Sequence, residues 1–233
     1  MPRLKFTKFQ ILVHTGSLVP LALLIWDAIT DHLTVNPIQD ITFRTGKDAL
    51  VLLVLSLACT PLNTLFGFRE ALKVRRALGL YAFLYVGLHF LTFVGLDYTF
   101  DLSLIREAIV EKRYALMGFA AFLTLLPLAL TSTKRWQKRL GKTWRALHRW
   151  VYLAAILAVI HFIWLVKSDI REPLAYGTVV LLLLVLRIPA VRRVVNLKRW
   201  MSPFTPGGTQ RMGSRERADH SRDLPAPETG VPK

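Results

Sequence analysis

The chain has 233 residues, 53% of them hydrophobic, and it carries a formal net charge of +16. A water-soluble domain rarely combines so apolar a composition with so much charge, which favours apolar membrane spans joined by charged loops. The charge does not require a nucleic-acid partner, because basic loops beside a membrane contact anionic lipid head groups.

Six apolar segments of roughly the length needed to cross a hydrocarbon core of about 30 Å follow one another along the chain. They are residues 9–26, 49–66, 77–96, 114–131, 150–166 and 174–188. No small-residue cleavage site follows the first, so it is interpreted as a retained span and not as a signal peptide. The last is short, and Arg187 at its end is expected to extend its charge to the interface. The predicted fold class is all-α, an integral membrane bundle of six transmembrane helices.

The basic residues are distributed unevenly between the two ends of this bundle. If the N-terminus is cytoplasmic, 24 of the 31 lysines and arginines lie in inner segments. The positive-inside rule therefore predicts that both termini are cytoplasmic. Residues 1–200 are expected to form the transmembrane domain. Residues 201–233, rich in proline, glycine and charge, are expected to form a disordered cytoplasmic tail.

The remaining composition excludes several kinds of site. The chain has one cysteine, Cys59, which falls in the second span, so no intrachain disulfide and no cysteine-held cluster can form. The loops are shorter than about 25 residues, whereas a separate nucleotide-binding domain needs roughly 100. No internal repeat is evident.

Four of the six histidines lie in or beside the spans, where an ionisable side chain is rare and a functional candidate. His32 and His220 are expected to be solvent-exposed. At 1.5 Å per residue, His89 lies about 18 Å into the third span and His161 roughly 17 Å into the fifth. Equal depth on two parallel helices suits an axial pair on haem iron. The alternative is that each histidine only bonds a neighbouring helix.

His148 lies at the inner membrane edge, about 19.5 Å along the helix from His161 and about 140° around it, so the two cannot share one iron. Arg76, 13 residues before His89, has the corresponding depth on the third span. A guanidinium pairs well with a haem propionate or a flavin phosphate, which suggests an inner cofactor site of His148 and Arg76. A basic interfacial belt is the alternative. His14, about 8 Å into the first span, is a further cofactor-binding candidate.

Several phrases carry a family resemblance: ILVHTGSLVPL, NPIQDITFRTG, VRRALGLYAFLYVGLHF and LTSTKRWQKRLGKTWRALHRWVYLAAILAVIHFIW. Over roughly residues 9–190 the chain resembles the haem-binding membrane subunits of the bacterial periplasmic methionine-sulfoxide reductase system, within the ferric-reductase-like transmembrane group. The resemblance implies a multi-pass protein of the bacterial inner membrane. It also implies haem b ligated by His89, His148 and His161. An FMN is implied by the resemblance only, since the sequence contains no flavin-binding motif.

The same resemblance implies a role in electron transfer. Electrons would pass from the quinone pool or a cytoplasmic flavin reductase to a separate periplasmic molybdopterin-containing methionine-sulfoxide reductase catalytic subunit, supporting repair of oxidised envelope proteins. Catalysis is expected in that partner, and no catalytic residue is predicted here. Ferric reductases and NADPH oxidases of the larger group usually carry two histidine pairs and a fused FAD/NADPH domain. This chain lacks both the fourth histidine and room for that domain.

Two other functions stay open from the sequence. One is a self-contained ferric or metal reductase of the membrane. The other is a transporter or assembly factor whose histidines relay protons or pack helices, although no acidic residue is expected inside the spans. The outer loops NPIQDITFRTG and DYTFDLSLIREAIVEKRY are expected to receive the periplasmic partner.

Overall fold

A computed structural model of the protein describes residues 7–166, 168–188 and 191. Within these residues the regular structure is entirely helical. The α-helices are α1 (Lys8–Ile29), α2 (Pro37–Phe66), α3 (Arg69–Leu91), α4 (Leu102–Glu111), α5 (Arg113–Leu130), α6 (Lys134–Leu140), α7 (Lys142–Leu147), α8 (Val151–Leu165) and α9 (Arg171–Val185). A π-helical turn, Thr92–Asp97, continues α3, and a 3-10 turn, His148–Trp150, joins α7 to α8.

Local sequence signals explain where the long helices begin and end. Thr7 and Gln10 form a capping box at the start of α1, each side chain accepting from the other's backbone N–H. Asn36 caps α2, and Pro37 occupies its first turn, where a missing N–H costs nothing. Gly67 ends α2 with φ 71°, a left-handed conformation that glycine adopts without a steric penalty.

Five helical stretches are long and apolar enough to cross a membrane. They are Lys8–Ile29, Pro37–Phe66, Arg69–Asp97, Arg113–Leu130 and Lys142–Leu165. These match the first five predicted spans, and the all-helical prediction is confirmed for the described residues. The predicted sixth span overlaps α9, whose 15 residues extend only about 22 Å. The sixth span therefore stays a prediction.

Two closely packed helix pairs, α2 with α3 and α5 with α8, form the centre of the bundle. The pairs meet where α3 contacts α5 and α2 contacts α8, while α1 packs on α3 and α9 packs on α8. Ala82, Ala154 and Ala155 are almost completely buried. Small side chains at these positions let the helix backbones approach closely, as in other membrane bundles.

Tyr85 attaches α1 to this centre. Its side chain is fully buried on α3, and its hydroxyl donates to the Ser17 carbonyl at 2.9 Å and accepts from the Leu21 N–H at 3.0 Å. Those two backbone groups are one helical turn apart in α1, on either side of Pro20. The hydroxyl thus satisfies backbone groups at a point where proline disturbs the helix.

The start of α2 differs from the prediction. The predicted outer loop NPIQDITFRTG forms the cap and first turns of α2, so this helix begins twelve residues before the predicted span. Its charged residues are paired: Arg44 with Asp27 at 2.5 Å and Asp40 at 2.9 Å, and Lys47 with Glu172 at 2.6 Å. These pairs let a polar segment continue an apolar helix.

Three further expectations need correction or stay untested. Asp48 is a half-buried residue of α2 that directly precedes the predicted second span, so the expectation of no acidic residue in a membrane interior stays untested. Arg187 does not extend outward; its guanidinium donates to the Leu57 carbonyl and the Tyr152 hydroxyl, both at 2.6 Å. The N-terminal six residues and the predicted disordered tail lie outside the described residues, so the cytoplasmic location of both termini stays a prediction.

Candidate functional site

Two histidine rings face each other where α3 meets the α5–α8 pair. The ring centroids of His89 and His161 are 6.0 Å apart, and the ring planes are inclined at 84°. With metal–nitrogen bonds of about 2 Å and a ring nitrogen about 1.1 Å from its centroid, two imidazoles on opposite sides of one metal have centroids roughly 6.3 Å apart. The observed separation of 6.0 Å is close to this value.

Backbone carbonyls fix the protonation of both rings. His89 Nδ1 lies 2.8 Å from the Thr42 carbonyl oxygen, and His161 Nδ1 lies 2.7 Å from that of Tyr114. A carbonyl oxygen can only accept, so each Nδ1 carries the proton and each Nε2 is left with a lone pair. A neutral imidazole held in this way is the usual form of a metal-binding histidine.

Each imidazole also lies against a glycine of the helix that supplies its carbonyl. A Cβ atom built on Gly46 would stand 3.0 Å from His89 Nδ1, and one built on Gly118 would stand 2.8 Å from His161 Nδ1. The contact at Gly118 is shorter than real Cβ atoms show, and the contact at Gly46 is tighter than nine in ten real Cβ contacts. Glycine is therefore what allows each ring to reach its carbonyl.

The two halves of the site repeat at a constant interval of 72 residues, which the sequence analysis missed. The corresponding positions are Thr42 and Tyr114, Gly46 and Gly118, and His89 and His161. Each histidine is followed by a phenylalanine. The constant spacing between glycine and His-Phe was the available signal, but the surrounding apolar residues are too generic to reveal it. The expectation of no internal repeat does not hold for the site.

Aromatic side chains flank the histidine pair on both sides. Phe90 stacks on Phe122 with centroids 4.4 Å apart, at the contact between α3 and α5. Phe162 meets Phe43 edge-on at 6.0 Å, at the contact between α8 and α2. Such rings provide an apolar, water-poor surrounding for a flat cofactor.

The donor set fits haem better than a bare metal ion. Within the described part of the chain, no group of three or more histidine, cysteine, aspartate or glutamate side chains could hold a metal ion. A protein-bound zinc ion takes three or four protein ligands. Haem iron needs only axial ligands from the protein, because the porphyrin occupies the other positions. Two opposed imidazoles supply both.

His148 occupies a separate position at the other end of α8. Its Nδ1 lies 3.1 Å from the Trp144 carbonyl, and its ring stacks on the Trp144 indole at 3.9 Å. Its Nε2 is buried and forms no hydrogen bond of standard geometry, and the Leu128 carbonyl lies near the ring. Arg76 is exposed on α3. The structure does not join Arg76 to His148, and a ligand role for either stays a prediction.

The other predicted candidate, His14, is not part of the pair. Its Nδ1 lies 2.9 Å from the hydroxyl of Tyr81, which is eight residues before His89, or about 12 Å along α3. A hydroxyl both donates and accepts, so this contact does not fix the tautomer of His14. His32 is exposed, as expected, and His220 lies outside the described residues.

Comparison with known proteins identifies the class first. The ferric reductase like transmembrane component family matches residues 45–159, a range that contains Gly46, His89, Gly118 and His148 and ends two residues before His161. The helical bundle is therefore similar to ferric-reductase-like transmembrane components over this range. No solved structure matches it.

Two relatives identify the family within this class. The protein-methionine-sulfoxide reductase heme-binding subunit MsrQ of Xanthomonas axonopodis pv. citri is 44% identical over 204 residues, covering 84% of this chain and 94% of the relative. The subunit of the same name from Rhodospirillum rubrum is 45% identical over 186 residues, covering 79% and 89%. The chain belongs to this MsrQ family.

Proposed function

We propose that this chain is a membrane electron-transfer subunit that binds one haem b between His89 and His161 and serves a methionine-sulfoxide reductase. The observation that carries the proposal is the opposed pair of rings, 6.0 Å apart, each with its Nδ1 proton committed to a carbonyl. When bound, haem supplies an iron that alternates between ferric and ferrous states and so holds one electron.

The residues around the pair have distinct tasks in this proposal. The Thr42 and Tyr114 carbonyls hold the Nδ1 protons, which orients each Nε2 and increases its basicity. Phe90 and Phe162, beside the two histidines, keep water away. A water-poor surrounding favours the less charged form of a redox centre and thereby tunes its potential.

The position of the pair along the bundle indicates the direction of electron flow. His89 is eight residues, about 12 Å, from the end of its span at Asp97, and His161 is four residues, about 6 Å, from the end at Leu165. The excess of basic residues at the opposite end supports a cytoplasmic location for that end. The pair is therefore on the periplasmic side of the inner membrane, near the expected molybdopterin-containing catalytic subunit.

The donor side is proposed at the cytoplasmic end. His148, whose buried Nε2 forms no hydrogen bond of standard geometry, is the residue there that supports an inner cofactor. The quinone pool or a cytoplasmic flavin reductase would deliver electrons at this end. FMN remains an expectation from the family resemblance alone.

A vesicle experiment tests both function and orientation. The haem-loaded protein is reconstituted in liposomes, sorted by orientation with a protease-sensitive tag on the C-terminal tail, and reduced anaerobically without excess reductant. Adding the catalytic subunit and methionine sulfoxide outside should reoxidise the haem only in vesicles whose tail is internal. A His32→Ala variant should behave like the unmodified protein.

Other results of this experiment would contradict the proposal. Reoxidation by a ferric chelate as rapidly as by the partner with its substrate would favour a self-contained metal reductase. Reoxidation only in vesicles with an external tail would reverse the orientation. A protein that never takes up haem would favour the transporter or assembly reading.

A further inference from the structure

We infer that Gly46 and Gly118 are positioning residues that seat the two imidazoles and thereby set how tightly haem is held and what spectrum and potential it has. The inference rests on the proposed haem function. It goes beyond the ligands themselves, because neither glycine has a side chain that could touch the iron. Their effect is transmitted through His89 and His161.

Each imidazole ring lies on a glycine that is one helical turn from the carbonyl that the ring contacts. Gly46 follows Thr42 by four residues and Gly118 follows Tyr114 by four, so each glycine lies one turn from the accepting carbonyl on the same helix face. The ring edge formed by Nδ1 and Cε1 lies over the glycine: the built Cβ of Gly46 would be 3.0 and 3.1 Å from these atoms of His89. A side chain would occupy the space through which the ring reaches the carbonyl.

The contact with an imidazole distinguishes Gly46 and Gly118 from glycines of ordinary helix packing. Alanine is a better helix former than glycine, so the glycine under each ring costs helix stability. Other glycines of the bundle lack an imidazole contact. Gly16 has nothing within 4 Å of a built Cβ, and a Cβ on Gly177 would meet only a methyl group of Val159, at 3.2 Å. The glycine under each histidine therefore positions the imidazole of a proposed haem ligand.

The two contacts differ in length, which predicts that the two alanine substitutions differ in severity. A Cβ on Gly118 would be 2.8 Å from His161 Nδ1, too close to be accommodated without moving the ring. A Cβ on Gly46 would be 3.0 Å from His89 Nδ1, so a displacement of a few tenths of an ångström is enough. Gly118→Ala should therefore disturb the site more than Gly46→Ala.

The experiment compares four single variants of the full-length, haem-loaded protein: Gly118→Ala, Gly46→Ala, Gly16→Ala and Gly177→Ala. The measurements are haem transfer to excess apomyoglobin, the reduced-minus-oxidised spectrum and the midpoint potential. Loss of an outer-shell partner typically weakens metal-site affinity roughly 10–100-fold. We expect that loss in Gly118→Ala, a smaller one in Gly46→Ala, and a changed spectrum and potential in both. Gly16→Ala and Gly177→Ala should match the unmodified protein.

The outcomes distinguish this inference from the proposed function. If the unmodified protein binds haem and the Gly118→Ala and Gly46→Ala variants keep its affinity, spectrum and potential, the inference is overturned while the haem proposal stands. If Gly177→Ala causes the same change, crowding of α8 is the cause and the inference fails. If the unmodified protein binds no haem, the proposed function itself fails. Should Gly118→Ala not fold, the milder Gly46→Ala variant decides.

Discussion

At the residue scale, the histidines of the bundle differ in what their Nδ1 atoms contact. Those of His89, His148 and His161 each face a backbone carbonyl, whereas that of His14 faces a hydroxyl. The carbonyl contact leaves a lone pair on Nε2, and the three residues that share it are the ones that the family resemblance implied as ligands. Sequence spacing located these histidines, but their protonation depends on tertiary contacts that spacing does not reveal.

The angle between the two rings predicts the magnetic signature of a bound haem. Parallel imidazole planes interact with the same iron d orbital and split the dxz and dyz pair, whereas planes at 84° leave that pair nearly degenerate. The orbital angular momentum of the unpaired iron electron is then not quenched, and it raises the largest g value of the oxidised haem. We expect low-temperature EPR of the oxidised protein to show a strongly anisotropic low-spin signal dominated by one low-field feature. A well-resolved rhombic signal with three lines would contradict this ring geometry.

At the scale of helices, hydropathy located the apolar stretches of the spans. It did not predict that the polar residues before the second span are helical. The first turns of α2 read as a loop because they contain Asp40, Arg44 and Lys47. These charges are paired with residues on α1, α2 and the start of α9, contacts that a linear pattern does not show. The error matters because this segment carries Thr42 and Gly46. The predicted docking loop is helical and forms one wall of the candidate site, and its role in receiving the periplasmic partner stays a prediction.

The short helix α4 gives a prediction at this scale. The Asp101 carboxylate caps it, accepting from the Ser103 hydroxyl and from the N–H groups of Leu104 and Ser103, and these bonds lower the pKa of Asp101. Because the folded pKa is depressed, the stabilisation is fully present above the unfolded value of about 3.9 and is lost as pH falls through the folded value.

We therefore expect the melting temperature of the unmodified protein, relative to that of Asp101→Asn, to fall as pH is lowered from 6 to 3. Asparagine caps a helix about as well as aspartate but does not titrate in this range. The measurement is thermal unfolding in detergent at several pH values. A difference between the two proteins that stays constant across the range would show that this cap does not contribute.

At the scale of the whole molecule, the bundle repeats one arrangement twice. The pair α2–α3 presents His89 as the pair α5–α8 presents His161, each ring lying on a glycine of the partner helix. The membrane class, five spans and the histidine pair were all accessible from the sequence. The supporting glycines and carbonyls were not, because every residue has a carbonyl and only the packing of the helices selects which one a ring reaches.

The most direct test of the account is a dithionite-reduced minus air-oxidised visible spectrum of the purified protein, recorded beside His89→Ala, His161→Ala and His32→Ala. Two opposed imidazoles on one haem predict a sharp low-spin b-type band in the unmodified protein and in His32→Ala, and its loss in both of the other variants. If no band forms after expression with ample haem, or if the band survives removal of either His89 or His161, the two histidines do not hold haem as an axial pair.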